Sequence, residues 1–382
     1  MCRLSAIVSN SYFSPFENIV ALETMKEGHD ASGLGLVLRD LGGNFEDFKG
    51  FPILSCIATA VGYEKLNAFM HEKGFQIKYR WKPNLNLKNS SDIIPKEHYI
   101  VNVYDYPLYF KDKTEEEKED FYLKTRLEIR AIGELDGSIT VFSFWPDTIT
   151  LKEIGDPLDV GTFFGLDKQD SLKAKIIFAQ GRQNTNYAIN LYACHPFFIQ
   201  GYFTMTNGEN TAFIPIKEFL TSRKQPGYIG YNSDSEVFAH ILHYSRNILK
   251  YPLIYYKDII TPMFDHEFEQ STRKDIKILK LIKKSLRMLT IDGPNCIIGC
   301  DKDNTVFMVQ DSKKLRPGAV GGVRGKIALM SEICGITSAI PDRDIKNDVF
   351  PMKYDFIYVQ QGAEEIKIWN QKLGKTTTIN FH

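Results

Sequence analysis

Cysteine is scarce in this sequence and never closely paired. Six occur among 382 residues (Cys2, Cys56, Cys194, Cys296, Cys300 and Cys334), with no C-x-x-C pair. That spacing excludes a dense disulfide framework and a cysteine cluster for an iron–sulfur centre, and it suits a reducing compartment. Net charge is also missing, because 47 Lys and Arg balance 47 Asp and Glu. No bulk field therefore draws the chain toward nucleic acid or an acidic membrane. Long apolar runs are absent too, since no stretch nears the roughly 20 residues of a membrane span. The opening "MCRLSAIVSNSYFSPFENI" is broken by Ser9, Asn10 and Ser11, so no secretory signal is expected and the expected location is cytoplasmic. Neither an internal repeat nor a Gly-rich phosphate fingerprint occurs.

What is present is ample core material: 43% hydrophobic and 13% aromatic residues beside 25% charged. This suffices for one large domain or two. "RLSAIVS" reads as a short apolar strand for a sheet covered on both faces. "PFENIVALETMKEG" places Ile19, Leu22 and Met25 at helical spacing, with Gly28 as a stop. "HDASGLGLVLRD" is a small-residue turn running into a strand, where backbones can approach closely. From about Asp40 to Leu172 the character changes. "HYIVNVYDYPLYF" is strand-like, "TEEEKEDFYLKTRLEIRAIG" is a charged helix with a solvated acidic face, and "KPNLNLKNSSDIIPKEH" is a loop. This stretch reads as a large insertion or subdomain and as the candidate docking or regulatory surface.

Strands resume at "AKIIFAQGR" and "FFIQGYFTMTNGEN". The helix "DSEVFAHILHYSRNILK" carries Val237, Ile241, Tyr244 and Ile248 on one face. "TRKDIKILKLIKKSLRML" has an Ile/Leu stripe and a Lys/Arg face that reads as solvated. "NCIIGC" and "NTVFMVQ" pair around "DKDN", and Cys296 and Cys300 read as buried strand thiols rather than zinc ligands. "GKIALMSEICGI" is a strand leading into a helix. The pattern is α+β, with helices covering sheets.

Cys2 follows the initiator methionine. Removal of Met1 places a thiol and a free α-amine on one residue. Their reference pKa values, about 8.5 and about 7.7–8.0, let the amine serve as base for the thiol without a histidine. Such a nucleophile needs an oxyanion site and a grip on its substrate. Asn207 offers a side-chain amide and Gly208 an unobstructed N–H, although Asn-Gly alone favours a hairpin turn. Arg182 could fork onto a carboxylate, and Asp234 could take an ammonium. "SDSE" also reads as a helix N-cap with a capping acid. His195, before Pro196, reads as packing support.

Taken in order, "MCRLSAI", "EGHDASG", "QGRQNT", "ACHPF", "TNGENT" and "NSDSEVFAHIL", with the later "IDGPNCIIG" and "DSKKLRP", resemble the class II glutamine amidotransferases. These are the N-terminal-nucleophile glutaminases. The resemblance covers about two thirds of the chain and skips 40–172. It implies a four-layer αββα N-terminal-nucleophile hydrolase sandwich over 2–382, interrupted by that insertion. It implies Cys2 as nucleophile and Asn207 with Gly208 as oxyanion hole. Arg182 would hold the glutamine α-carboxylate and Asp234 its α-ammonium, with Thr185 and Asn186 lining the substrate amide. Glu27, Gln180-Gly181 and Gln183 depart from the family pattern around the glutamine pocket, and are consistent with a site completed by a partner.

The chain lacks the acidic phosphoribosyl-pyrophosphate motif and the S-G-G-x-D-S loop of linked synthases. It is most similar to the stand-alone amidotransferase subunit of archaeal-type glutamate synthases. That implies L-glutamine hydrolysed to glutamate and ammonia, and ammonia passed to a synthase partner that carries FMN and an iron–sulfur cluster. No cofactor and no metal is expected on this chain, and no nucleic-acid or membrane partner. Two other readings stay open: a catalytically silent or regulatory subunit, and an N-terminal-nucleophile amidase acting on another amide.

Overall fold

A computed structural model describes residues 2–25, 30–86, 92–168, 170–184, 188–224, 227 and 233–382. Strands and helices are numbered along the chain. Three antiparallel sheets organise the described residues. The first is built from β1 (Arg3–Phe13), β2 (Leu34–Gly43), β7 (Thr148–Glu153), β8 (Leu172–Gly181), β13 (Ala319–Val323) and β14 (Lys326–Met330), in the order β13-β14-β1-β8-β2-β7. The second joins β9 (Phe197–Ile199), β10 (Tyr202–Gly208), β11 (Asn295–Cys300), β12 (Thr305–Gln310), β15 (Asp355–Gln360), β16 (Glu365–Asn370) and β17 (Lys375–Asn380), in reverse chain order. The third, β4-β5-β3-β6, is made of β3 (Pro52–Ala58), β4 (Gln76–Trp81), β5 (His98–Asp105) and β6 (Ile139–Pro146).

The helices are α1 (Phe16–Thr24), α2 (Ala60–Glu72), α3 (Glu115–Glu134), α4 (Pro157–Phe163), α5 (Phe213–Ser222), α6 (Glu236–His243), α7 (Tyr255–Ile260), α8 (Asp265–Glu269), α9 (Ile276–Ser285) and α10 (Ile333–Ala339). Strand alternation explains how they are distributed. Leu4, Ala6 and Val8 of β1, with Ile176 and Phe178 of β8, share one core with Phe203 and Met205 of β10 and Ile298 of β11. The intervening residues Ile7, Ile177 and Ala179 belong to a second core with Ile19 and Leu22 of α1 and Ile336 of α10. On the second sheet, Ile297, Phe307 and Phe356 join a third core with Val237 and Ile241 of α6 and Ile282 of α9. Each fully buried Leu, Ile or Phe contributes roughly 1.5–3 kcal/mol over the exposed state, so sheets with two apolar faces have to be covered on both.

β1 lies inside its sheet, with Ala6 opposite Leu329 on one side and Phe178 on the other. Its N-terminal end delivers Cys2. α1 buries Ile19 and Leu22 as the spacing requires and ends at Thr24, with Met25 also buried. Gly28 lies outside the described residues. α3 starts at a Thr114–Glu117 capping box and exposes its leading glutamates, so the acidic run is a solvated face.

The separate third sheet spans 52–146, whereas β7 and α4, which lie within 40–172, pack on the first sheet. β2 also runs past Asp40 to Gly43. Two local readings fail. Asn207-Gly208 is no hairpin turn: the two residues end β10, opposite Cys296 and Asn295, and the turn is at Gln200-Gly201. Ile248 is 44% exposed, because the helical turn after α6 widens to five residues per hydrogen-bonded ring over Tyr244–Ile248 and shifts the apolar face.

Candidate active site

One cavity of about 110 Å³ gathers Cys2, Arg182, Gly208 and Asp234. A buried water needs about 10–15 Å³ on this scale. The space therefore admits a compact ligand of about ten non-hydrogen atoms, the size of a small amino acid. The four residues are far apart in sequence and arrive from β1, β8, β10 and the approach to α6.

Cys2 is half-buried, and its Sγ donates to the Gln183 carbonyl at 3.5 Å while the Gln183 N–H approaches Sγ at 3.4 Å. Burial raises the thiol pKa. The Gln183 amide and the Arg182 charge act against that rise, and the Asp234 charge adds to it. The thiol is consequently protonated at neutral pH and needs a base to become nucleophilic.

Arg182 follows the last residue of β8. Its N–H donates to the Gly33 carbonyl at 2.8 Å and its Nη2 to Asn184 Oδ1 at 3.0 Å. Among the described residues, Nη1 is buried without a hydrogen-bond partner, an expensive state for a charged donor in the absence of a ligand. The "DASG" turn holds this segment: Asp30 Oδ2 and Ser32 Oγ both accept from the Asn184 N–H, at 2.8 and 3.0 Å. The glycines of that turn allow close approach. A Cβ on Gly35 would lie 1.7 Å from the His195 carbonyl oxygen, and one on Gly33 2.4 Å from Cys194 Sγ.

Asp234 Oδ2 accepts from the Asn210 N–H at 2.6 Å, and Ser235 Oγ donates to Oδ1 at 3.4 Å. Burial raises its pKa against the Asn210 hydrogen bond, with Glu209 adding to the rise. A bound cation would relieve that burial. Ser235 does not cap α6 through its side chain; Thr206 Oγ1 donates to its Oγ at 2.8 Å. Glu236 is not a capping acid either, since it accepts from Tyr192 Oη at 2.8 Å. Both side chains tie the helix start to the site instead.

Gly208 must be glycine. Its φ is +151°, and a Cβ would sit 1.8 Å from the Pro294 carbonyl oxygen. Asn207 is buried on the strand face of Phe203 and Met205, beside the cavity wall rather than in it. Thr185, Asn186 and Glu27 lie outside the described residues. His195 lines the cavity, but its Nδ1 accepts from the Thr206 N–H at 3.1 Å. Burial first, and then the charges of Arg182 and Lys152, hold its pKa well below the usual range. It is a neutral ring with the proton on Nε2, which positions β10 and is no base for Cys2.

Sequence reasoning passed over three groups. Gln180 accepts from the His195 N–H at 2.7 Å and reaches the Thr206 carbonyl at 3.4 Å, so it bridges β8, the His-Pro segment and β10. The sequence marked it only as a departure. Asn210, two residues past Gly208, holds Asp234. Tyr192 links Arg130 of α3 at 3.2 Å to Glu236, and no local pattern announces that contact.

No family model and no curated protein matches this sequence. Similar solved structures exist. Glutamine phosphoribosylpyrophosphate amidotransferase from B. subtilis, complexed with ADP and GMP, aligns with a TM-score of 0.42 and 14% identity over 100% of this chain and 49% of that one. A structure described as the allosteric regulatory enzyme of purine biosynthesis gives 0.43 and 13%, again with 100% of this chain and 49% of the other. This chain thus spans about half the length of both. A glutamine aminotransferase class-II domain protein from Silicibacter pomeroyi gives 0.31 and 11%, over 91% of this chain and 99% of that one. None of these likenesses decides the activity; that question rests on the residues around the cavity.

Proposed function

We propose that this chain is a glutaminase of the class II amidotransferase kind, with Cys2 as its N-terminal nucleophile once Met1 is removed. The observation that carries the reading is the buried Nη1 of Arg182, without a partner among the described residues, in the same small cavity as Cys2 and the Asp234 carboxylate. A cation and an anion lining one cavity suit the carboxylate and ammonium of an α-amino acid, and leave its side chain to meet the thiol.

In this mechanism the α-amine of Cys2 takes the thiol proton. Sγ adds to the glutamine side-chain carbonyl carbon, and the Gly208 N–H stabilises the resulting oxyanion; Asn207, which lies beside the cavity wall, would be the second donor once its side-chain amide turns inward. The ammonium returns its proton to the departing nitrogen, releasing ammonia and leaving a thioester. The amine then deprotonates a water that hydrolyses the thioester to glutamate and restores the thiol. Thr185 and Asn186 would line the amide. The alternation of the three cores supports a four-layer αββα arrangement. Ammonia would pass to a synthase partner of the glutamate synthase type, which would hold FMN and an iron–sulfur cluster, and the 52–146 sheet is the surface we assign to partner docking or regulation.

The test is mass spectrometry of the mature N-terminus together with ammonia release from L-glutamine. An N-terminus at Cys2 with turnover is expected; a retained Met1 refutes the mechanism. An amidase for other substrates would turn over primary amides that lack an α-amino acid head, and a silent subunit would release no ammonia from either.

A further inference from the structure

The basic face of α9 is exposed, and it also borders a concave space. Lys280, Lys283 and Lys284, with Arg287 just beyond, wall a cavity of about 670 Å³, and Lys313 faces them from the turn after β12. Lys283 is paired with Asp265 at 2.9 Å. No carboxylate lies within ion-pair distance of Lys280, Lys284, Arg287 or Lys313 among the described residues. Lys280 and Lys284, like Lys283 and Arg287, are four apart on a helical path, so their charges repel unless an anion intervenes. Five cations against two carboxylates, Asp265 and Asp292, leave the lining net positive, and a net positive concave space concentrates anions from solution.

The rest of the lining mixes hydroxyls and carboxylates with an apolar patch of Pro262, Ile291 and Phe264, a residue that is 51% exposed. The volume falls in the usual range of about 300–1,000 Å³ for small-molecule sites. Asp292 closes one side. Its carboxylate accepts from Thr211 Oγ1 at 2.8 Å and its N–H donates to Asn210 Oδ1 at 3.2 Å. Asn210 in turn holds Asp234, so the two cavities share a wall.

We propose that this cavity binds a phosphorylated small molecule, with the phosphate held by Lys280, Lys284, Arg287 and Lys313 and an apolar or planar body against Phe264. The proposal does not depend on the glutaminase reading, and its test needs no turnover. Calorimetry with inorganic pyrophosphate should show binding that weakens as salt rises. Lys284→Gln/Arg287→Gln, at two exposed positions, should fold and melt no lower than wild type while binding pyrophosphate at least tenfold more weakly. Lys313→Gln, in the turn after β12, should weaken binding as well. Phenyl phosphate should bind more tightly than inorganic phosphate, and Phe264→Ala should remove that advantage. Cys2→Ala should bind pyrophosphate as wild type does. Absence of pyrophosphate binding, or undiminished binding by both the double variant and Lys313→Gln, overturns the site. Equal affinity for phenyl phosphate and inorganic phosphate overturns the assignment of the apolar body.

Discussion

The backbone N–H of Asn210 donates to the carboxylate of Asp234 across 2.6 Å. This bond turns the carboxylate into the cavity, where burial has raised its pKa. The sign follows directly. A carboxyl with a raised folded-state pKa favours the folded protein most below its unfolded pKa, and that contribution is lost as pH rises through the folded value. A ligand ammonium reverses the balance by favouring the ionised form.

Asp234→Asn keeps a group that can accept from Asn210 but removes the charge. A lost charged hydrogen bond is worth about 1.5–3 kcal/mol, so KM for glutamine should rise roughly 10–100-fold with kcat changed less. In wild type, KM should rise as pH falls through the raised Asp234 pKa, and in Asp234→Asn that dependence should flatten. Steady-state kinetics across pH checks both, and an unchanged KM contradicts the clamp.

Cys2→Ala should lower ammonia release by about 10³-fold or more, since it removes the group that forms the covalent intermediate. Its thermal melt should match wild type, because the half-buried thiol makes only long sulfur contacts. Ammonia release at the wild-type rate contradicts the nucleophile assignment.

Gly208→Ala should destabilise the protein by about 1–3 kcal/mol or more, because strain at positive φ adds to a Cβ clash with backbone. Gly137→Ala provides the comparison. That glycine also has positive φ, at +69°, but a Cβ there meets nothing within 4 Å. Denaturant titration of both should show Gly208→Ala as clearly the less stable variant.

Two buried histidines should make the fold acid-sensitive. His195 is held well below the usual range by burial and nearby cations, and His243 is lowered to about 3, chiefly by burial. Below the unfolded value near 6.5 the unfolded chain binds protons that the folded chain does not. Stability should therefore fall as pH drops from about 6.5 toward the folded values, by up to about 1.4 kcal/mol per pH unit for each histidine. Denaturation of wild type and His243→Gln at pH 7 and at lower pH checks this, with a shallower fall expected for the variant. Because His195 is neutral and its Nδ1 accepts from the Thr206 N–H, changing it should leave the limbs of the kcat/KM pH profile in place.

Much of the architecture was legible because it is local. Apolar continuity marked β1, β8, β11 and β12, helical apolar spacing marked α1 and α9, and the acidic run marked α3. The turn small enough for close approach was readable at Gly33 and Gly35. What failed depended mostly on distant partners. Asn207-Gly208 carries the strongest short turn signal, yet antiparallel pairing with Asn295 and Cys296 keeps it in a strand. The Ile248 face was lost to one wide helical turn. Gln180 looked like a mere departure because its partners, His195 and Thr206, come from the His-Pro segment and from β10.

The sequence by itself determined the strand and helix identities, the glycine positions that permit close approach, and the order in which Cys2, Arg182, Asn207, Gly208 and Asp234 occur. Only the tertiary structure decided which of them share a cavity, that His195 is neutral, and that the basic face of α9 encloses space. Cys2 and Gln183 touch across 181 positions of chain. Periodicity constrains a residue against its near neighbours, whereas such a contact depends on the register of β1 against β8, which is set by how two apolar sheet faces bury each other.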